Sequence, residues 1–169
     1  MSTKTNSSPA PLAKTNDTAR LQLWRRQDWQ SLWLTSHREG EGRRTIALLP
    51  AAPGFSSEEV LEIAATLART GMVHLGLPVY VADATRLTLA QLVGFTEEMA
   101  RHREQTGGVI VALPSLAENV TAINVAQAAD AVLLCVLMRR MGMADTKRTV
   151  ERVGKNRILG AATFSAAGD

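Results

Sequence analysis

The chain is 169 residues long, 46% hydrophobic and 21% charged, which is the size and composition of one globular domain able to bury a core. Its single cysteine, Cys135, excludes an internal disulfide and a cysteine-based zinc site, and no stretch approaches the ~18 uninterrupted apolar residues of a membrane span. The net charge of +3 is uneven: residues 1–44 carry eight Lys/Arg against four Asp/Glu, whereas residues 45–169 carry eleven against twelve.

Residues 1–20 are rich in Ser, Thr, Asn and Pro and lack the apolar core of a secretory signal, so they predict a disordered tail on a cytoplasmic protein. Residues 21–44 predict an amphipathic helix and a polar connector. The stretch "RLQLWRRQDWQSLWL" holds all three tryptophans, Trp24, Trp29 and Trp33, and the last two share a helical face with Leu32. Such a helix packs on its own domain or docks on a partner. The glycine-broken connector "EGEG" favours docking, with Trp24, Arg25, Arg26, Trp29 and Trp33 as the partner-binding candidates.

From residue 45 to 169 the pattern alternates. "TIALLP" predicts a strand, and "SSEEVLEIAATLARTG" a helix that stops at Gly71. "LPVYVADA" predicts the second strand, "TLAQLVGFTEEMARHREQTGG" a helix, "VIVALPSL" the third strand and "ENVTAINVAQAAD" a helical segment. "AVLLCVLM", "ADTKRTVERVGKN" and "RILGAATF" follow as strand, helix and strand. Short apolar strands alternating with helices predict an α/β domain of three layers, a mostly parallel sheet with helices on both faces. The apolar run around Cys135 marks it as a buried structural thiol.

A strand, a glycine-bearing loop and a helix are the layout of a phosphate-binding loop. Such a loop needs glycines for close backbone approach, a lysine for the phosphate oxygens and a hydroxyl for magnesium. This chain reads Pro53, Gly54, Phe55, Ser56, Ser57, Glu58, Glu59. Ser56 and Glu59 have the spacing of a capping box, and Glu58 and Glu59 put negative charge where a triphosphate would sit.

The order and spacing of these elements resemble the cytoplasmic kinase domain of the bacterial tyrosine autokinases of polysaccharide export, relatives of the MinD/ParA-type P-loop ATPases. Against that family's Pro-Gly-Glu-Gly-Lys-Ser-Thr, Ser56 replaces the second glycine, Ser57 the lysine, and Glu58 and Glu59 the hydroxyl pair. "VADATR" is similar to the family's Val-Asp-Ala-Asp-Leu-Arg, with Ala82 and Ala84 in the acidic slots, Asp83 between them and Arg86 matching. "VIVALPSL" resembles the run ending Asp-Thr-Pro-Pro, with Ala112 in place of the aspartate and Pro114 on the first proline. "QAADAVLLCV" matches the Ala-Asp that leads into a strand, while the tyrosine-rich tail is absent and the single tyrosine is Tyr80.

The resemblance implies a P-loop NTPase-like fold over residues 45–165 and a degenerate nucleotide site. It further implies a non-catalytic accessory protein of exopolysaccharide or capsule biosynthesis, with no cofactor, no metal and no nucleic acid. Its expected partner is a protein of a polysaccharide synthesis or export complex at the inner face of the membrane, with homo-oligomers as a further possibility. The alternative is a small α/β enzyme or ligand-binding protein with a site at the strand C-termini near Gly54, Ala82 and Pro114. Little supports it. His37, His74 and His102 are scattered, and Ser115 lacks a nucleophile elbow. Asp83 and Asp130 read as turn and corner residues, and Arg139 and Arg140 as a loop that is solvated or meets an acidic partner.

Overall fold

The structure, a computed structural model, describes residues 27–38, 44–138 and 142–165. The tail over 1–20, Trp24, Arg25, Arg26, Arg139 and Arg140 lie outside the described residues. Five strands, β1 (Thr45–Pro50), β2 (Val79–Asp83), β3 (Gly108–Ala112), β4 (Ala131–Leu137) and β5 (Ile158–Phe164), form one parallel sheet in the order β2-β3-β1-β4-β5. The helices are α1 (Gln27–Arg38), α2 (Ser57–Leu75), α3 (Leu92–Gln105), α4 (Ala122–Ala128) and α5 (Met143–Val153).

Strand periodicity divides the core. Ile46 and Leu48 of β1 point to one face, where they meet Val60, Ile63 and Leu67 of α2 and Trp33 of α1. Ala47 and Leu49 point to the other, where Met99 of α3, Val125 of α4 and Val153 of α5 cover them. All six residues of the central strand β1 are buried, as a strand covered on both faces requires. The three-layer expectation holds.

The departures are local and each has a packing reason. Helix α2 does not stop at Gly71 but continues to Leu75. It ends at Gly76, whose φ of 66° supplies the left-handed cap and whose N–H donates to the Met72 carbonyl. Gly71 is a close-approach residue instead, because a Cβ there would run into the Trp33 ring. Helix α1 runs on to Arg38 through residues expected in the connector, with Ser36 Oγ donating to the Leu32 carbonyl at 2.7 Å. The segment before β4 is helical only over Ala122–Ala128, because Ser115–Glu118 and Asn119–Ala122 close turns first.

Trp33 is 2% exposed, so its indole is a core side chain and not an anchor for a partner. That corrects the docking expectation for Trp33. Trp29 is half-buried and its ring lies 6.0 Å from that of Phe164 on β5, so α1 packs on its own domain at both tryptophans. The glycine-broken connector "EGEG" lies outside the described residues.

Candidate functional site

The loop from Ala51 to Ser56 joins β1 to α2 at the C-terminal rim of the sheet. Its start is pinned from two sides: Ala51 N donates to the Cys135 carbonyl at 2.9 Å, and Thr149 Oγ1 of α5 donates to the Ala51 carbonyl at 2.8 Å. The chain then turns through Gly54, at φ 139°, and drops Phe55 into the core, edge-on to Phe164 at 6.0 Å. Ser56 is the cap of α2. Its hydroxyl accepts from Glu59 N at 3.2 Å, and the Glu59 carboxylate accepts from Ser56 N at 2.7 Å. The capping box expected from the spacing is formed.

Amide groups at this helix start are therefore engaged by the chain's own carboxylate and hydroxyl, where a phosphate loop presents them to a ligand. Lysine is missing from the site as well as from the motif, since the sequence has none between Lys14 and Lys147. The three alanines in the acidic slots are buried: Ala82 and Ala84 in one face of the core, Ala112 in the other. Asp83, between the first two, accepts from Thr85 N at 2.9 Å and from Thr85 Oγ1 at 2.7 Å, which closes a turn after β2 as expected.

The structure brings Phe55, Ser56, Ser57, Thr85, Pro114 and Glu118 around an open cavity of about 320 Å³. Ser115 is buried beside it with its hydroxyl and its backbone N–H both donating to Glu118, at 2.7 Å and 3.2 Å, which closes a turn. Charge completes the picture. Among the described residues, the strand ends, following loops and first helical turns of this rim carry Glu58, Glu59, Asp83, Glu118, Asp145 and Arg86, while Arg148, 3.9 Å from Asp145, and Arg152 line a neighbouring cavity with Ala51, Ala52 and Pro53.

Other singled-out residues lie elsewhere. Asp130 holds the opposite rim: its carboxylate accepts from Arg44 N and Thr45 N, both at 2.9 Å, and pairs with Arg103 at 3.1 Å. It thus fixes the corner where a helix hands over to β4 and ties it to the start of β1. His102 stacks on Tyr80 with centroids 3.7 Å apart and stands 3.6 Å from Glu98, while His74 is exposed. No group of three metal-ligating side chains occurs among the described residues. Cys135 is fully buried, and burial pushes its thiol up to about 12, which fits a structural role. The Thr149 clasp and the Phe55–Phe164 contact left no signal in the sequence, because both join residues about a hundred positions apart.

No protein-family model matches the sequence, and no curated protein does. Solved structures do. The kinase domain of VpsO superposes with a TM-score of 0.64 at 13% identity, covering 91% of this chain and 100% of that one. The chimerical protein CapA2B2 gives 0.64 at 12% identity over 81% and 82% of the two chains. The kinase domain of the Escherichia coli tyrosine kinase ETK gives 0.61 at 13% identity over 78% and 72%. At these identities the likeness is one of fold, and it is the fold that the sequence motifs led us to expect.

Proposed function

We propose that this domain is a non-catalytic relative of the tyrosine autokinase domains, one that has lost ATP binding and acts by contact with a partner protein. The observation that carries the reading is the closed start of α2. The Ser56–Glu59 box engages two amides of the helix start internally, and the exposed carboxylates of Glu58 and Glu59 stand in that first turn. A triphosphate brought there meets like charges at short range with no lysine to offset them, a cost of a few kcal/mol per close pair at an effective dielectric of about 20. Ala82, Ala84 and Ala112 offer no oxygen to magnesium.

The resemblance to autokinases of polysaccharide export supplies the setting: an accessory or regulatory role in exopolysaccharide or capsule biosynthesis, beside a membrane-associated component of that machinery. This part of the reading is analogy of fold and motif order. Calorimetry with Mg-ATP on the full chain tests its core. No heat of binding is expected at high micromolar protein, and a saturable isotherm in that range overturns the proposal.

A further inference from the structure

Helix α5 turns one polar stripe toward the chain that leaves β1. Asp145, Arg148, Thr149 and Arg152 stand three and four residues apart in turn, so they share one face of the helix. The Thr149 clasp on the Ala51 carbonyl holds that face in place. Between them lies a cavity of about 210 Å³, with Ala52, Pro53 and Ser115 on one side and Arg148 and Arg152 on the other.

The two arginines are lightly engaged. Arg148 faces Asp145 at 3.9 Å, in a pair whose side chains are 75% and 52% exposed, and such a pair contributes little to stability. Arg152 is exposed and has no ion-pair or hydrogen-bond partner among the described residues. The helix C-terminus accounts for an arginine in the last turn. It does not account for a second one, a turn earlier, that lines the same cavity. Two guanidinium groups against the Asp145 carboxylate leave the cavity with one positive charge in excess.

We propose that this cavity receives a carboxylate side chain, an Asp or Glu, from an acidic segment of the partner protein. The assignment rests on the reading that the domain acts by contact. Arginine's planar fork takes a carboxylate through two parallel hydrogen bonds, and one carboxylate cancels the excess charge. Size argues against a free small molecule: pockets for such ligands run to about 300–1,000 Å³ and enclose most of the ligand, whereas this one is smaller and its arginines are exposed. A phosphate dianion fits the charge less well, because beside Asp145 it leaves one negative charge without a counterpart.

The probe is a hexaglutamate peptide, titrated into the isotopically labelled full chain while the arginine Nε–Hε NMR signals are followed. Those of Arg148 and Arg152 should shift saturably with hexaglutamate, stay put with hexaglutamine, and return as salt is added. The double variant Arg148→Gln, Arg152→Gln should bind at least about tenfold more weakly by the backbone amide signals of α5, the scale of losing charge-assisted hydrogen bonds. Both side chains are exposed, so its melting temperature should match the parent; if it falls, Arg152→Gln alone is the replacement. Arg101→Gln, an exposed arginine on α3, should bind like the parent. Absence of shifts with hexaglutamate overturns the proposal, as does undiminished binding by the folded variant. Inorganic phosphate that saturates the two arginines more tightly than the peptide overturns it in favour of a small anion. Missing peptide shifts beside silent Mg-ATP calorimetry would sink this proposal alone, whereas Mg-ATP heat that the double variant retains would sink only the proposed loss of nucleotide binding.

Discussion

The two ends of α2 are held by different kinds of interaction. At its start, Ser56 and Glu59 satisfy each other three residues apart, a contact that is polar, local and partly exposed. Near its end, Gly71 lies under Trp33, a residue thirty-eight positions earlier on another helix, in a contact that is apolar and buried. The first contact occupies two amides where the loop that follows β1 enters α2, and the second carries the packing of α1.

That contrast can be broken most forcefully at Trp33. Trp33→Ala should lower stability by about 3–5 kcal/mol, the usual cost of emptying a buried aromatic site, measured by urea unfolding. A loss under about 1 kcal/mol would mean that α1 is not packed as described. Gly71→Ala comes next. Alanine gains about 1 kcal/mol of helix propensity over glycine, but overpacking against the indole costs roughly 1–3 kcal/mol, so net destabilisation is expected. The sign should reverse in the Trp33→Ala background, where the space is free and only the propensity gain remains. Failure of that reversal in a double-mutant cycle would separate the two residues.

Changes at the start of the helix should be smaller. Glu59→Ala should cost about 0.5–1 kcal/mol, the scale of losing half of a capping box, and coincident thermal melts of mutant and parent would remove the capping account. Ser57→Lys should change stability least and should still give no heat with Mg-ATP, because Ala82, Ala84 and Ala112 leave magnesium without ligands. Binding restored by that one lysine would overturn the proposal that Glu58, Glu59 and the capped amides exclude the nucleotide.

Much of the fold and the loop was legible in the chain because it rests on short-range rules. Strand and helix alternation, the Ser56–Glu59 cap and the Asp83 turn each depend on residues within a few positions, and so does the replacement of the lysine by Ser57. The sheet order, the Thr149 clasp on Ala51, the seat of Asp130 on Arg44 and Thr45, and the burial of Trp33 were decided only in three dimensions. Gly71 shows why. A glycine near the end of a helical pattern carries the same local signal whether it terminates the helix or makes room for a ring, and only the neighbour that folds onto it tells the two apart. The same holds for the two rims: it is the parallel sheet, sending every strand end to one side and every strand start to the other, that sets the Gly54 loop, Asp83 and Pro114 on one rim and Asp130 on the opposite one.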